Sequence, residues 1–300
     1  MATYLKSASL NELWSLYKSN FQDVSGTVAD AVTAARETES NIATMLRRPV
    51  EGCDVLEVGS GQRSAFRYLL GARNRYVGID IEPAPSGKVL KDFRDDLRDR
   101  GISRAAKNAI KNVTGLSRKY DKTMRNMIGV TQVDIEFRVM DAENMDFPDN
   151  SFDVVVSHNV FEHLPNPVAV MKEVARVLRP GGVAHIHTHL YTSDSGAHDP
   201  RIYAGDRNGF PYWAHLRPET EHLVKPNCYV NKVRLNEYLE SFESTWNGSD
   251  NVRLPTPDAM KTELDKLRAD GALAAYRDEE LLTNILRTTW KKPEAQDVVQ

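Results

Sequence analysis

The chain has 300 residues, 41% hydrophobic and 27% charged, which is the balance of a globular protein and excludes a disordered or fibrous one. A formal charge of −3 gives no general attraction for nucleic acid or an anionic membrane, and no apolar run approaches the length of a membrane span. Cys53 and Cys228 lie too far apart for a metal motif or a disulfide framework, and the first residues carry no apolar h-region, so a reduced cytoplasmic setting is expected.

Residues 8–19 place Leu10, Leu13, Trp14 and Tyr17 on one helical face, and the helical pattern of 26–48 runs until Pro49. Residues 1–49 are read as an N-terminal helical cap, which either covers a site mouth or pads a sheet edge. Residues 55–64 read V-L-E-V-G-S-G-Q-R-S, a buried strand running into Gly59 and Gly61, and helical spacing follows over 65–70. Strand, glycine turn and helix open a βαβ unit. Lacking a Cβ, Gly59 permits the tight turn and Gly61 the approach of a ligand to the backbone. Arg63 stands where a third glycine would complete the pattern; it reads either as an anion contact at the helix start or as a surface residue. A second apolar strand, 75–81, ends at Asp80 and Ile81. Its acid falls about twenty residues past the glycines, where such folds hold ribose hydroxyls.

Residues 83–131 exceed what one short crossover needs. Twelve Lys or Arg lie between 88 and 125 against five Asp, an excess of seven positive charges. This basic helical insertion reads as an arm for an anionic acceptor, or as a solvated helical surface or oligomer contact. Its only aromatics are Phe93 and Tyr120, so stacking support for nucleic acid is thin.

A third strand, 135–142, ends in Asp141 and Ala142, and a fourth, 151–157, ends at Ser157. Asn159, Glu162 and His163 follow at three- and four-residue steps, which a helix would bring to one face. The helical pattern of 168–178 stops at Pro180-Gly181-Gly182. Strand 183–190 then gathers His185, His187 and His189 on one face. All eight histidines lie between 158 and 222. In the polar loop 191–201, His198-Asp199 forms a general-base element, or His198 joins a metal site with Glu162 and His163. The aromatics of 210–218 suit an acceptor-pocket wall or a satellite core. A helix over 233–242, a sixth strand over 243–246, a helical insertion over 256–282 and a last strand over 281–290 complete the chain.

The order of these pieces resembles the class I S-adenosylmethionine-dependent methyltransferases. E-x-G-x-G stands at 57–61, the acid at 80, D-A-x-x-x-x-F at 141–147, F-D-x-V at 152–155 and L-x-P-G-G at 178–182. The resemblance implies an α/β fold: a doubly wound, Rossmann-like seven-stranded sheet, mostly parallel with an antiparallel last strand and helical insertions, over residues 50–300. It implies S-adenosylmethionine held by Glu57, Gly59, Ser60, Gly61, Asp80, Ile81, Asp141, Ala142 and Ser157, with Asp141 on the adenine amino group and Ala142 beside the ring. A related E-x-x-E-H run binds a divalent metal in ubiquinone-pathway and small-RNA methyltransferases. A divalent ion such as Mg²⁺ on Asn159, Glu162, His163 and His198 is therefore one reading, although the first Glu of that run is Asn159 here; a structural His163 is the other.

The expected reaction is O-methylation of a small polar acceptor, such as a sugar or natural-product hydroxyl. His198, His163 and Asp199 are the acid–base candidates, since a hydroxyl must lose its proton and imidazole titrates near neutrality. An N-methyltransferase or macromolecule methyltransferase, a dehydrogenase and a silent cofactor-binding module are the alternatives.

Overall fold

The computed structural model describes residues 24–61, 64–82, 116–131, 133, 135–202, 207, 209–226 and 228–294. The expectations for residues 8–19, for Arg63 and for 83–115 fall outside the described residues. Seven strands, β1 (Asp54–Val58), β2 (Arg75–Asp80), β3 (Glu136–Val139), β4 (Phe152–His158), β5 (Leu178–His189), β6 (Asp250–Pro255) and β7 (Thr283–Lys291), form one sheet in the order β3-β2-β1-β4-β5-β7-β6. β1 with β2, β2 with β3 and β4 with β5 run parallel; β7 is antiparallel to both β5 and β6. This is the mixed α/β sheet that the resemblance implies. By internal contacts the chain divides into two compact units, Met1–Ala142 and Glu143–Gln300.

In the first unit β1 buries Val55, Leu56 and Val58 with Glu57 between them, the burial of a strand covered on both faces. Helices α1 (Val24–Leu46), α2 (Phe66–Leu69) and α3 (Leu116–Ile128) pack on one another. α1 buries Val24, Val28, Val32, Ala35 and Ile42 at helical spacing. Each such aliphatic stabilises by about 1.5–3 kcal/mol when fully buried, so packing rather than intrinsic propensity holds this helix. α3, the described end of the basic insertion, turns Tyr120 and Met124 inward. Tyr68 Oη donates to Asp121 Oδ1 at 3.1 Å and Arg125 lies over the Tyr68 ring, so this end is docked on its own unit.

In the second unit Asn166 caps α4 (Pro167–Val177) by accepting from the Ala169 amide at 3.1 Å, and Pro167 supplies a preset φ at the first turn. Helices α5 (Leu235–Thr245), α6 (Ala259–Ala269) and α7 (Asp278–Leu282) follow. Two expectations are corrected. β5 starts at Leu178, because the Pro180-Gly181-Gly182 turn is carried inside the strand, across a register shift opposite β4. The sixth strand is not at 243–246. Tyr238, Phe242 and Trp246 recur every four residues as one buried face, which extends α5 to Thr245 and moves β6 to 250–255. Trp246 stacks on Trp290 of β7, ring centroids 5.3 Å apart and planes 7° apart, and donates Nε1–H to the Met171 carbonyl. Trp213 and Leu216 pack with Leu264, Leu273 and Leu281 in a satellite core, the second of the two readings for 210–218. Among the described residues no helix is long and apolar enough to cross a membrane.

Candidate active site

The first unit presents the glycine turn. Gly59 and Gly61 take φ of +73° and +51°, values open to glycine, and the amides of Gly59 and Ser60 both donate to the Ile79 carbonyl. Ser60 is buried over Gly78, where any Cβ would sit 2.6 Å from the Ser60 hydroxyl. Asp80 accepts from the Gly61 amide at Oδ2 and from the Glu82 amide at Oδ1, both at 2.9 Å. Each carboxylate oxygen keeps a further lone pair for an incoming hydroxyl. Ile81 is 74% exposed beside it, and Val139 at the end of β3 is 58% exposed, so two large apolar side chains stand open at neighbouring strand ends. Asp141 is exposed and Ala142 half-buried just past β3.

Glu57 is buried, and its carboxylate accepts from the hydroxyls of Ser64 and Tyr76. Burial pushes its pKa up, against those hydrogen bonds. It therefore ties β1 to β2 and to the start of α2, where Ser64 also caps the Phe66 amide. Arg67, which no sequence pattern singled out, donates to the carbonyls of Gly61 and Ser60 and fastens the turn from behind.

The second unit presents the histidines. Ser157 is buried on β4 opposite Ile186. Asn159 is exposed, in the left-handed region at φ +55°, and gives its amide to the His187 carbonyl. Phe161–His163 is a single 3₁₀ turn. The expected helical face of Asn159, Glu162 and His163 is thus corrected: a left-handed residue breaks the helix before it starts. Asn231 fixes the turn instead. Its side-chain amide donates to the carbonyls of Phe161 and Leu164, and its backbone amide to that of Glu162.

Glu162 is 1% exposed, and no side chain donates to either carboxylate oxygen; burial pushes its pKa up to about 8, against the nearby backbone amides of Glu162 and His189. Three imidazoles surround it. His163 Nδ1 lies 2.6 Å from the Tyr229 carbonyl and must donate to it, which leaves Nε2 bare, 3.8 Å from Glu162 Oε1. Ser195 gives its one hydroxyl proton to Asn284 Oδ1, so His189 Nε2, 2.8 Å from Ser195 Oγ, is the donor there and Nδ1 is bare. His198, left-handed at φ +49°, has a buried Nε2 without a partner. Burial, then the neighbouring His189, His163 and His215, lowers the His198 pKa to about 3. One ligand atom each from Glu162, His189 and His198 lie within 4.8 Å of one another, and so do those of His163, His198 and Cys228.

The structure therefore brings Glu162, His163 and His198 together and adds His189 and Cys228. The His198-Asp199 general-base element is corrected. Asp199 is fully buried and accepts from the backbone amide, Nε and Nη2 of Arg201 and from the Lys225 amide. Burial pushes its pKa up, but these donors outweigh it and hold the carboxylate below its usual range. Asp199 braces the loop.

The sequence signature of the family described as "Methyltransferase domain" matches residues 56–186. A ubiquinone biosynthesis O-methyltransferase of Xanthomonas axonopodis is 31% identical over 182 residues, 60% of this chain and 72% of that protein. A phosphatidylethanolamine N-methyltransferase of Cereibacter sphaeroides is 36% identical over 88 residues, 28% of this chain and 43% of that one. The chain spans less than half the length of this and other curated relatives that it matches. The structure of an S-adenosylmethionine-dependent methyltransferase from Mesorhizobium loti is similar at 13% identity and a TM-score of 0.44, over 85% of this chain and 98% of that one. With its strand order, its glycine turn, the family signature and the Xanthomonas relative, the chain belongs to the class I S-adenosylmethionine-dependent methyltransferases.

Proposed function

We propose that this protein methylates a hydroxyl of a small polar acceptor in the cytoplasm, with a divalent cation held by Glu162, His189 and His198. One observation carries the reading: ligand atoms of Glu162, His189 and His198 lie within 4.8 Å of one another, and those of Glu162 and His198 are buried without a partner. An orphaned buried carboxylate costs several kcal/mol in folding unless a cation or proton restores its partner. Neutral imidazole is the ligating form, and His163 and His189 each donate their other nitrogen to an oxygen, as ligating histidines do. The donor set fits a divalent ion.

S-adenosylmethionine, when bound, supplies the electrophilic methyl group, and a bound cation would acidify a hydroxyl. The protein's own tasks are placement and proton removal. Asp80 would offer its spare lone pairs to ribose hydroxyls, Asp141 would hold the adenine amino group, and Ile81 and Ala142 would give the ring an apolar seat. Glu57, Ser64, Tyr76 and Arg67 hold the glycine turn in register for this. His163 is the base: its Nε2 is bare and its side chain 31% exposed, so it accepts the hydroxyl proton and passes it to water.

Transfer of label from radiolabelled S-adenosylmethionine into an extract separated by size tests the reading, with cofactor binding measured by calorimetry. Label in the small-molecule fraction, suppressed by a chelator and restored by Mg²⁺, Mn²⁺ or Zn²⁺, is the expected result. Label in protein or nucleic acid overturns the acceptor class, and chelator-insensitive transfer removes the cation. Label in an amine supports the N-methyltransferase reading that the named Cereibacter relative favours.

A further inference from the structure

The histidine end holds a second set of donors that the proposed cation does not use. One ligand atom each of His163, His198 and Cys228 lie within 4.8 Å of one another, a spacing that a single ion can span. All three side chains are half-buried, whereas Glu162 and His189 lie in the core. The segment that carries the thiol also aims an imidazole. Tyr229, next to Cys228, accepts from His163 Nδ1 through its carbonyl at 2.6 Å, which leaves Nε2 bare. Asn231 ties the same segment to the turn by giving its backbone amide to the Glu162 carbonyl at 2.8 Å. An imidazole whose other nitrogen is held by a carbonyl is the usual arrangement around metal ions. His198 stands between the two sets, its ring centroid 4.9 Å from that of His163 and 4.9 Å from that of His189.

The two sets differ in hardness. The carboxylate of Glu162 makes the first the harder one, open to Mg²⁺ or Mn²⁺. The thiolate of Cys228 makes the second the softer, favouring a d¹⁰ ion such as Cu⁺ or Cd²⁺. The sets share His198. A neutral imidazole has one bare nitrogen, so His198 serves one ion at a time. His163 Nε2, moreover, is the base proposed above, and an ion bound to it takes the lone pair that would accept the hydroxyl proton.

We propose that His163, His198 and Cys228 form a soft-metal site that switches the enzyme off: a thiophilic d¹⁰ cation bound there occupies the base and withdraws His198 from the catalytic cation. Binding forms one metal–sulfur and two metal–nitrogen bonds. Cys228 releases its thiol proton to solvent, the imidazoles bind neutral, and no electron changes hands. The site stands on the donor geometry alone, and its inhibitory effect rests on the reading of His163 as base and of Glu162, His189 and His198 as the cation's ligands.

The test titrates Cd²⁺ into the full chain with Mn²⁺ present or absent, and records the ultraviolet charge-transfer band of a cadmium–thiolate bond beside methyl transfer. The chain has two cysteines, and Cys53 is fully buried, so the band reports on Cys228. One Cd²⁺ per chain should raise the band, cut Mn²⁺-supported transfer by at least about tenfold, and bind at least about tenfold more weakly when Mn²⁺ is saturating. Cys228→Ser should abolish the band and weaken Cd²⁺ binding by about 10–100-fold, while transfer with Mn²⁺ alone and S-adenosylmethionine binding stay at wild-type values. No band at one equivalent in the wild type, or a band or Cd²⁺ affinity that survives in Cys228→Ser, overturns the site. Undiminished transfer in wild-type protein saturated with Cd²⁺ overturns the switch. Transfer that ignores chelators fails the cation reading instead, and the band with its loss in Cys228→Ser still decides the soft-metal site.

Discussion

At the glycine turn the carboxylates of Glu57 and Asp80 accept four hydrogen bonds from their own unit; at the histidine end Glu162, as deeply buried as Glu57, has no side-chain donor. Both ends use the same chemistry of acids, hydroxyls and imidazoles. The first is held before any ligand arrives: Arg67, Ser64 and Tyr76 fix the turn, although Arg67 Nε stays buried without a partner. The second carries surplus lone pairs on Glu162, His163, His189, His198 and His215. A satisfied acid holds shape, whereas an orphaned one costs folding energy and persists where a ligand repays it.

Replacing the orphan should give the largest effect. Glu162→Gln should cut methyl transfer by at least about 100-fold and weaken cation binding, while the cation-free protein keeps its thermal stability at neutral pH and gains above pH 8, where the buried acid would have to ionise. Transfer at the wild-type rate would put Glu162 outside the chemistry. Asp80→Ala should weaken S-adenosylmethionine binding by about tenfold or more, since it removes an acceptor for ribose and frees the Gly61 amide. Unchanged affinity by calorimetry would break the cofactor half of the comparison.

Next comes acid sensitivity. His185 is 1% exposed and burial lowers its pKa from 6.5 to about 3, with Arg287 and His158 adding to the shift. The folded state needs it neutral. Its contribution is whole above pH 6.5 and is lost as pH falls toward 3, by about 1.4 kcal/mol per pH unit. His185→Gln, which can keep a hydrogen bond to the Thr289 hydroxyl, should flatten the slope of unfolding free energy between pH 6 and 4 by that amount; an unaltered slope would mean that the ring is already protonated. Smallest is Ser64→Ala, which should cost about 1 kcal/mol in denaturant unfolding, with cofactor affinity changed only a few-fold. A collapse of cofactor binding there would show Ser64 touching the cofactor directly.

How much was legible follows the range of the contacts. Strands β1 to β4, the glycine turn and Asp80 are local patterns of apolar runs and fixed spacing, and they stand where the sequence places them. The period-two histidines of β5 place His189 at the strand end, but nothing local separates it from His185 and His187. Asn231, Tyr229 and Asn284 reach Glu162, His163 and His189 from more than sixty residues away, or nearly a hundred, and Cys228 reaches His198 across a loop of no fixed length, so none leaves a spacing to read. Asp199 misleads for the same reason. Its neighbour in sequence is His198, while its carboxylate is filled by Arg201 and Lys225.

The parallel stack of Trp246 on Trp290 gives the molecule an optical gauge of its own. Two indoles 5.3 Å apart and stacked nearly parallel couple their electronic transitions, so α5 and β7 should announce their contact as a paired band in circular dichroism. Trp246 and Trp290 both lie in the second unit, as does the buried Trp213, so loss of that band on heating or dilution in denaturant would time the parting of that unit alone. Recorded beside a cofactor-binding signal from the glycine turn, it would tell whether the two halves of the chain melt as one body or in turn.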